Sequence, residues 1–139
     1  MSGWRAMSDY TIVKFEEVPD LTGEYPGEMR MLTRSLDTEQ VALTLRRIPP
    51  QVGLFPKPDH GHSHKTQEEV YVVVSGRLQF KLGDDIVDVG PESAVRVPPG
   101  VVRQAFNEGD EEAVLLIVSK RIEDLRADAE VKPGFWPER

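Results

Sequence analysis

Residues 62–76 read HSHKTQEEVYVVVSG and are the most informative part of this chain. Side chains two positions apart share one face of a strand, so His62 and His64 point the same way in an extended segment. Glu69 has the opposite parity and joins them only if the chain turns over residues 65–67. Two imidazoles and a carboxylate that converge with open positions left over are the donor set of non-haem iron(II) sites, and manganese, nickel and zinc suit the same set. The stretch therefore predicts a divalent metal held by His62, His64 and Glu69.

The composition narrows the class of protein. The 139 residues suffice for one domain with a real core. The absence of cysteine excludes a disulfide framework, thiolate zinc, iron–sulfur ligation and a cysteine nucleophile, and it favours a reducing, cytoplasmic compartment. A net charge of -7 disfavours nucleic acid and anionic membranes as partners. We expect neither a membrane span nor a signal peptide, because no long apolar run and no apolar N-terminal region is present.

Short segments rich in Val, Ile and Leu, separated by Pro and Gly, predict an antiparallel all-β sandwich or barrel. The predicted strands beyond the histidine pair are residues 10–15, 29–35, 41–48, 69–75, 77–82, 86–89, 94–97, 101–107 and 113–119. Only residues 122–130 have helical spacing, and the tail that follows is expected to be irregular, with Phe135 and Trp136 docked on the body or on a neighbour. The predicted organisation is an irregular or disordered N-terminus over 1–9, a barrel over 10–120, and a short helix and irregular tail over 121–139.

The histidine segment resembles the first motif of the cupin superfamily. That motif runs Gly, five residues, His-x-His, three or four residues, Glu, six residues, Gly. His62, His64, Glu69 and Gly76 fit this spacing, whereas Pro56 stands at the leading glycine. The resemblance implies a small double-stranded β-helix, or jelly-roll barrel, with a divalent metal held inside by three histidines and a glutamate.

A second cupin motif follows at a short spacing and runs Gly, five residues, Pro-x-Gly, two residues, His, three residues, Asn. Pro98, Gly100 and Asn107 fit it, whereas Glu92 replaces the first glycine and Arg103 replaces the histidine. Together the two motifs span about fifty residues, and both in order favour the family fold strongly. The family's ligand set carries over to His62, His64 and Glu69 but not to position 103.

Arg103 leaves three alternatives open, because a guanidinium stays protonated and cannot ligate a metal. In the first, the metal persists on the other three ligands and water, and Arg103 swings to the barrel mouth to hold an anionic substrate. In the second, Arg103 pairs with Glu69 and no metal binds. In the third, the strand register slips by one residue and Gln104 turns inward as a weak oxygen ligand. His60 is a further candidate for the missing fourth ligand.

Two further groups of residues are candidates for function. Tyr71 is most simply a core residue and secondarily a substrate contact, and together with Arg103 it forms our candidate catalytic pair. Arg46, Arg47 and Arg96, again with Arg103, either form a cationic mouth around the pocket or make separate surface ion pairs, which contribute little to stability.

Two classes of function fit these residues. The first is a metal-dependent enzyme for a small oxygenated organic acid, diketone or aromatic compound, with dioxygenase, isomerase or decarboxylase chemistry. The second is a metal-free binding or regulatory module in which Arg103 holds a small anion. The resemblance does not choose between them, because one fold supports many activities.

The sequence also predicts a homodimer. Residues 69–75 carry apolar side chains at alternate positions of both parities, with Val70, Val72 and Val74 on one face and Tyr71 and Val73 on the other. One face of an antiparallel strand usually meets water. A strand that is apolar on both faces therefore needs cover from the N-terminal segment or from a second subunit.

Overall fold

A computed structural model describes residues 9–139, in which ten strands form two five-stranded sheets. The strands are β1 Glu28–Met31, β2 Val41–Ile48, β3 Gly61–His64, β4 Glu69–Ser75, β5 Leu78–Leu82, β6 Asp85–Val89, β7 Ser93–Val97, β8 Arg103–Phe106, β9 Ala113–Lys120 and β10 Ala129–Lys132. The helical segments are a 3₁₀ turn over Phe15–Glu17, α1 over Leu32–Leu36 and α2 over Leu125–Asp128. None of the helices in this range has the length or the apolar run that a bilayer crossing requires.

The strand order is β1-β2-β9-β4-β7 in the first sheet and β10-β3-β8-β5-β6 in the second, and all the pairings are antiparallel. The inner faces of the two sheets close over one apolar core, to which Tyr71 and Val73 contribute from the first sheet and Leu78 and Phe80 from the second. The predicted all-β jelly-roll fold is confirmed, including the short helix near the C-terminus.

Strand β4 shows how the pattern of the sequence positions the site. Glu69, Tyr71 and Val73 are buried in the barrel, whereas the residues between them are only partly covered on the outer face. The inward side chains change from apolar to charged at the beginning of β4. A polar site therefore lies at one end of the barrel, with the apolar core behind it.

The turn after β4 requires glycine. Gly76 has a positive φ of 74°, which is in the left-handed region where a side chain is disfavoured. A Cβ at this position would also lie only 2.5 Å from the carbonyl oxygen of Glu112. The motif glycine therefore fixes where β4 ends and lets the chain turn back into β5.

Of the two strands predicted before residue 36, the first is wrong and the second is right only over residues 29–31. Residues 10–15 form no strand, and their side chains at Tyr10 and Ile12 are exposed. Residues 29–35 are divided, since β1 ends at Met31 and α1 follows, with Leu32 buried against the outer face of the first sheet. Val13 and Leu32 pack on the outside of the first sheet, whereas residues 29–31 extend the sheet as part of β1. The predicted irregular N-terminus lies outside the described residues, apart from residue 9.

The predicted helix over residues 122–130 is also too long. Only Leu125–Asp128 is helical, and Ala129–Lys132 forms a strand where an irregular tail was expected. This strand pairs along β3, with Ala129 opposite His64 and Val131 opposite His62. An unpaired strand edge is unfavourable, because its backbone N–H and C=O groups lack hydrogen-bond partners. Pairing with β10 supplies such partners to β3, the strand that carries the histidines. The expected docking of Phe135 and Trp136 is observed against Phe106.

Candidate functional site

The three predicted metal ligands converge at one end of the barrel. His62 and His64 lie on β3 and Glu69 begins β4, and all three side chains are buried. The Nε2 atoms of His62 and His64 lie 3.7 and 3.5 Å from Oε1 of Glu69, and ligand atoms of all three residues fall within 4.8 Å of one another. The turn over residues 65–67 carries the chain from the second sheet to the first, so the carboxylate faces the imidazoles across the barrel.

Glu69 is ionised and Tyr71 is not. Burial by itself raises the pKa of Glu69, but contacts with His62 and His64 and the hydrogen bond from Tyr71 outweigh it and hold this pKa well below its usual range. The hydroxyl of Tyr71 donates to Oε1 of Glu69 at 2.6 Å. Burial and the adjacent carboxylate raise the pKa of Tyr71 well above its ordinary value. The phenol therefore acts as a fixed hydrogen-bond donor rather than as a base.

A second carboxylate lies behind His64. Oδ2 of Asp128 is 3.3 Å from Nδ1 of His64, although the two groups are not aligned as a hydrogen bond. The same carboxylate accepts hydrogen bonds from the hydroxyl and the backbone N–H of Thr66 and from the backbone N–H of Gln67. A carboxylate on the far nitrogen of a histidine is the usual partner of a metal-ligating imidazole, because it leaves Nε2 free to bind the ion. No motif spacing connects residue 128 with the histidines, so the sequence did not predict this contact.

Arg103 lies inside the barrel beside the ligands. It is opposite His62 in the pairing of β3 with β8, and its side chain is fully buried. Its Nη2 atom is 3.9 Å from Oε1 of Glu69, and among residues 9–139 none of its guanidinium nitrogens has a hydrogen-bond partner. The side chain does not reach the mouth of the barrel, which corrects the placement in our first alternative.

Neither candidate for a fourth ligand takes that role. Nδ1 of His60 is 3.0 Å from Asp59 and lies outside the ligand cluster. Gln104 is on the opposite face of β8 from Arg103, where its amide donates to the carbonyl of His60 and accepts from the N–H of Ala105. The slipped register is therefore wrong.

The four arginines of the predicted cationic mouth divide into two groups. Arg47 and Arg96 lie on the surface, 3.5 Å from Glu28 and 3.0 Å from Glu68 respectively. Arg46, which shares the inner face of β2 with Ile48, is buried with only 5% of its surface exposed. A ring of four cations does not form, and Arg46 and Arg103 are the two that face inward.

A cavity of about 500 Å³ opens onto this site. His62, His64, Glu69 and Tyr71 line one part of it, and Arg46 lines another. Residues of β1 and α2 also contribute to its wall. The cavity therefore gives a small molecule access to the three candidate ligands but not to the buried Arg103.

The donor set suits a divalent metal. Burial lowers the pKa of His62, and Arg103 acts in the same direction while Glu69 opposes it, so the imidazole is in the neutral form that ligates metals. The separations from Glu69 are close to the roughly 3.4 Å expected between tetrahedral ligands at about 2.1 Å from one ion. The positive charge of Arg103, 3.9 Å from Glu69, opposes a dication here, and the negative Glu69 and Asp128 offset that charge.

Comparison with known families and proteins gives a family match and no curated relative. The cupin domain family matches residues 49–119, which include both motifs. No protein of curated function matches the chain.

Solved structures with the same architecture include two named enzymes and the protein KdgF. A sugar phosphate isomerase from Silicibacter pomeroyi aligns with a TM-score of 0.69 and 18% identity, over 88% of this chain and 92% of that one. Oxalate decarboxylase from Bacillus subtilis aligns with a TM-score of 0.68 and 21% identity, over 85% of this chain and 31% of that one. KdgF from a Halomonas species aligns with a TM-score of 0.64 and 15% identity, over 85% of this chain and 98% of that one. At these identities the likeness concerns the fold alone.

Proposed function

The chain belongs to the cupin family, and on that premise we propose that it binds a divalent metal through His62, His64 and Glu69 and acts on a small oxygenated organic acid. The observation that carries the proposal is the convergence of these three side chains on one point, with Asp128 placed behind His64. Two imidazoles and an ionised carboxylate suit Fe, Mn, Ni or Zn.

A bound metal would supply Lewis-acid or redox chemistry at the base of the cavity. The residues of this chain would hold and orient the components. Tyr71 fixes one oxygen of Glu69 by its hydrogen bond, and Arg103 stabilises the same carboxylate from inside the barrel. We propose that both are positioning residues for Glu69. The structural relatives bear the names of an isomerase and a decarboxylase, which fits a small oxygenated substrate without choosing the reaction.

A second candidate is a metal-free barrel that captures a small anion. The observation in its favour is the closeness of Arg103 to Glu69, because this pair partly neutralises the carboxylate that a metal would need. A regulatory or binding module of this kind would keep its fold when metal is removed.

Metal content separates the two candidates. The protein is purified without added metal, and bound metal is measured by mass spectrometry for the wild type, His64→Ala and His60→Ala. The matched control is His60, whose imidazole pairs with Asp59 away from the ligand cluster. We expect near-stoichiometric metal in the wild type and in His60→Ala, and loss of most of it in His64→Ala. A wild type that stays folded and metal-free, even after incubation with Mn²⁺, would support the binding module instead.

A further inference from the structure

Arg46 is an inward cation that the metal site does not explain. Strand β2 places it on the wall of the cavity, and its guanidinium donates to the carbonyl oxygens of Glu28 and Leu54 at 3.1 and 2.8 Å. Only 5% of the surface of Arg46 is exposed. Burial lowers the pKa of Arg46, but a guanidinium stays protonated in proteins, so a full positive charge lies at the cavity wall.

Among residues 9–139, no carboxylate lies within ion-pair distance of the Arg46 guanidinium, although Asp20 acts on its charge from farther away. Its neighbour Arg47 lies within ion-pair distance of Glu28, and Arg96 pairs with Glu68. In the part of the chain that the structure describes, the two hydrogen-bond partners of Arg46 are backbone carbonyls. A buried charge is costly unless it is paired, and two carbonyls use only part of a guanidinium's five N–H donors. An anionic ligand in the cavity would supply the missing charge.

The other residues that line the cavity indicate the chemical character of the rest of that ligand. The larger apolar contributors to this wall are Met29, Met31, Leu54, Phe55, Ile117 and Leu125. Several polar groups of the wall are already bonded within the protein, since the amide of Gln67 donates to Ser119 and to the carbonyl of Lys120. Thr44, Arg126 and Oε1 of Gln67 also lie on this wall, and Oε1 of Gln67 has no hydrogen-bond partner among the described residues. Apolar side chains nevertheless make up most of the exposed wall, whereas each hydroxyl of a sugar needs a hydrogen-bond partner. An apolar body with a single anionic group fits it better.

We infer that Arg46 anchors the carboxylate of a ligand whose body is apolar, such as an arylalkanoic or branched aliphatic acid. A guanidinium can hold a carboxylate by two parallel hydrogen bonds, which sets the orientation of the ligand as well as its charge. The anchored acid would lie between Arg46 and the residues at the base of the cavity. This inference refines the proposed function by naming the substrate class, and it depends on that proposal only for what happens after binding.

The test compares an acid with its neutral counterpart of the same shape. Binding of 3-phenylpropanoate and 3-phenylpropanamide is measured by calorimetric titration, with the protein as purified and again after addition of Mn²⁺. We expect the wild type to prefer the acid by roughly tenfold or more. Arg46→Gln should remove this preference, and Arg46→Lys should retain part of it, because lysine keeps the charge but not the paired donors.

Arg47→Gln is the matched control, since Arg47 is the next residue along β2 but points outward to Glu28. It should leave the preference for the acid unchanged. If Arg46 merely ties the loop at Leu54 to the sheet, Arg46→Gln will weaken acid and amide equally, and the inference fails. The inference also fails if the wild type does not prefer the acid, a result that needs no folded variant.

The metal titration keeps this result separate from the proposed function. Suppose that the protein takes up no metal but binds the acid, and that this binding depends on Arg46. This result would support the role of Arg46 in binding the carboxylate and would refute the proposed metal-dependent enzyme. Metal uptake at His62, His64 and Glu69 with no preference for the acid would refute the anchor and leave the metal site standing.

Discussion

Arg103 occupies the position at which the family's second motif has a histidine, and it faces the three candidate ligands. A cation beside a dication is unfavourable, and the repulsion at a distance of about 5 Å amounts to several kcal/mol even at an effective dielectric near 20. The candidate metal site of this chain therefore has a positive charge beside its ligands. We expect metal affinity to be limited by this one side chain.

The substitution Arg103→His should tighten Mn²⁺ binding by at least about tenfold, because it removes the repulsion and adds a neutral nitrogen donor beside His62. Isothermal titration measures the change. Arg103→Gln is the control, since it removes the charge without adding a histidine ligand, and it should give a smaller gain. An unchanged or weaker affinity in Arg103→His would show that residue 103 does not limit the site.

The sequence predicts the three candidate ligands but not the residues that surround them in the site. His62, His64 and Glu69 follow from strand parity and motif spacing, because both rules are local. Asp128 reaches His64 only through the pairing of β10 with β3, a contact between residues more than sixty positions apart. Arg46 was recognised only as one of four arginines, because its burial depends on how β2 and the loop at Leu54 pack together.

Among the secondary-structure elements, the pattern of the sequence predicts β2 and β4 residue for residue, whereas segments near the two ends of the chain are predicted wrongly or in part. The alternating pattern of β4 and the glycine that ends it are fully local signals. The failures over residues 10–15, 29–35 and 122–130 have a common cause. Short apolar segments become strand, helix or coil according to which sheet edge or outer face they cover, and that choice is made by tertiary structure.

The junction of α2 and β10 is hydrogen-bonded to the turn between β3 and β4. Asp128 ends α2, accepts hydrogen bonds from Thr66 and Gln67, and lies beside His64. Its backbone carbonyl also accepts from the N–H of Lys65. The turn that brings Glu69 towards the histidines is therefore held by a residue of the C-terminal segment.

The substitution Asp128→Asn keeps the size of the side chain but removes its charge. We expect Mn²⁺ affinity to fall roughly tenfold to a hundredfold, as for other partners of ligating histidines. Calorimetric titration measures it, with thermal unfolding as the check on folding. Asp124→Asn is the matched control, because Asp124 caps the same helix through the N–H of Ala127 without contacting the site. Equal losses in the two variants would mean that Asp128 acts on the helix rather than on His64.

On the scale of the whole molecule, residues 9–139 cover the outer face of the first sheet only in part. The N-terminal segment and α1 bury Leu45 and pack against Leu116. Farther across the same face Val70 and Val72 are half-buried, and Val74 is 44% exposed. A contiguous apolar surface of this kind is a common site of protein association. We therefore propose that the predicted homodimer forms through this apolar surface of the first sheet.

The expected outcome is a particle of twice the 15.7 kDa chain mass in size-exclusion chromatography with light scattering. Val72→Asp should shift it to the monomer, because a buried carboxylate without a partner is costly at an interface. Ile86→Asp is the control, since Ile86 is an exposed apolar residue on β6 of the other sheet. A monomeric wild type, or dissociation by Ile86→Asp but not by Val72→Asp, would refute this surface as the interface. If Val72→Asp converts a dimer into a monomer, the metal content of that monomer can be measured. We expect the monomer to bind metal as the dimer does, because all three candidate ligands lie within one chain.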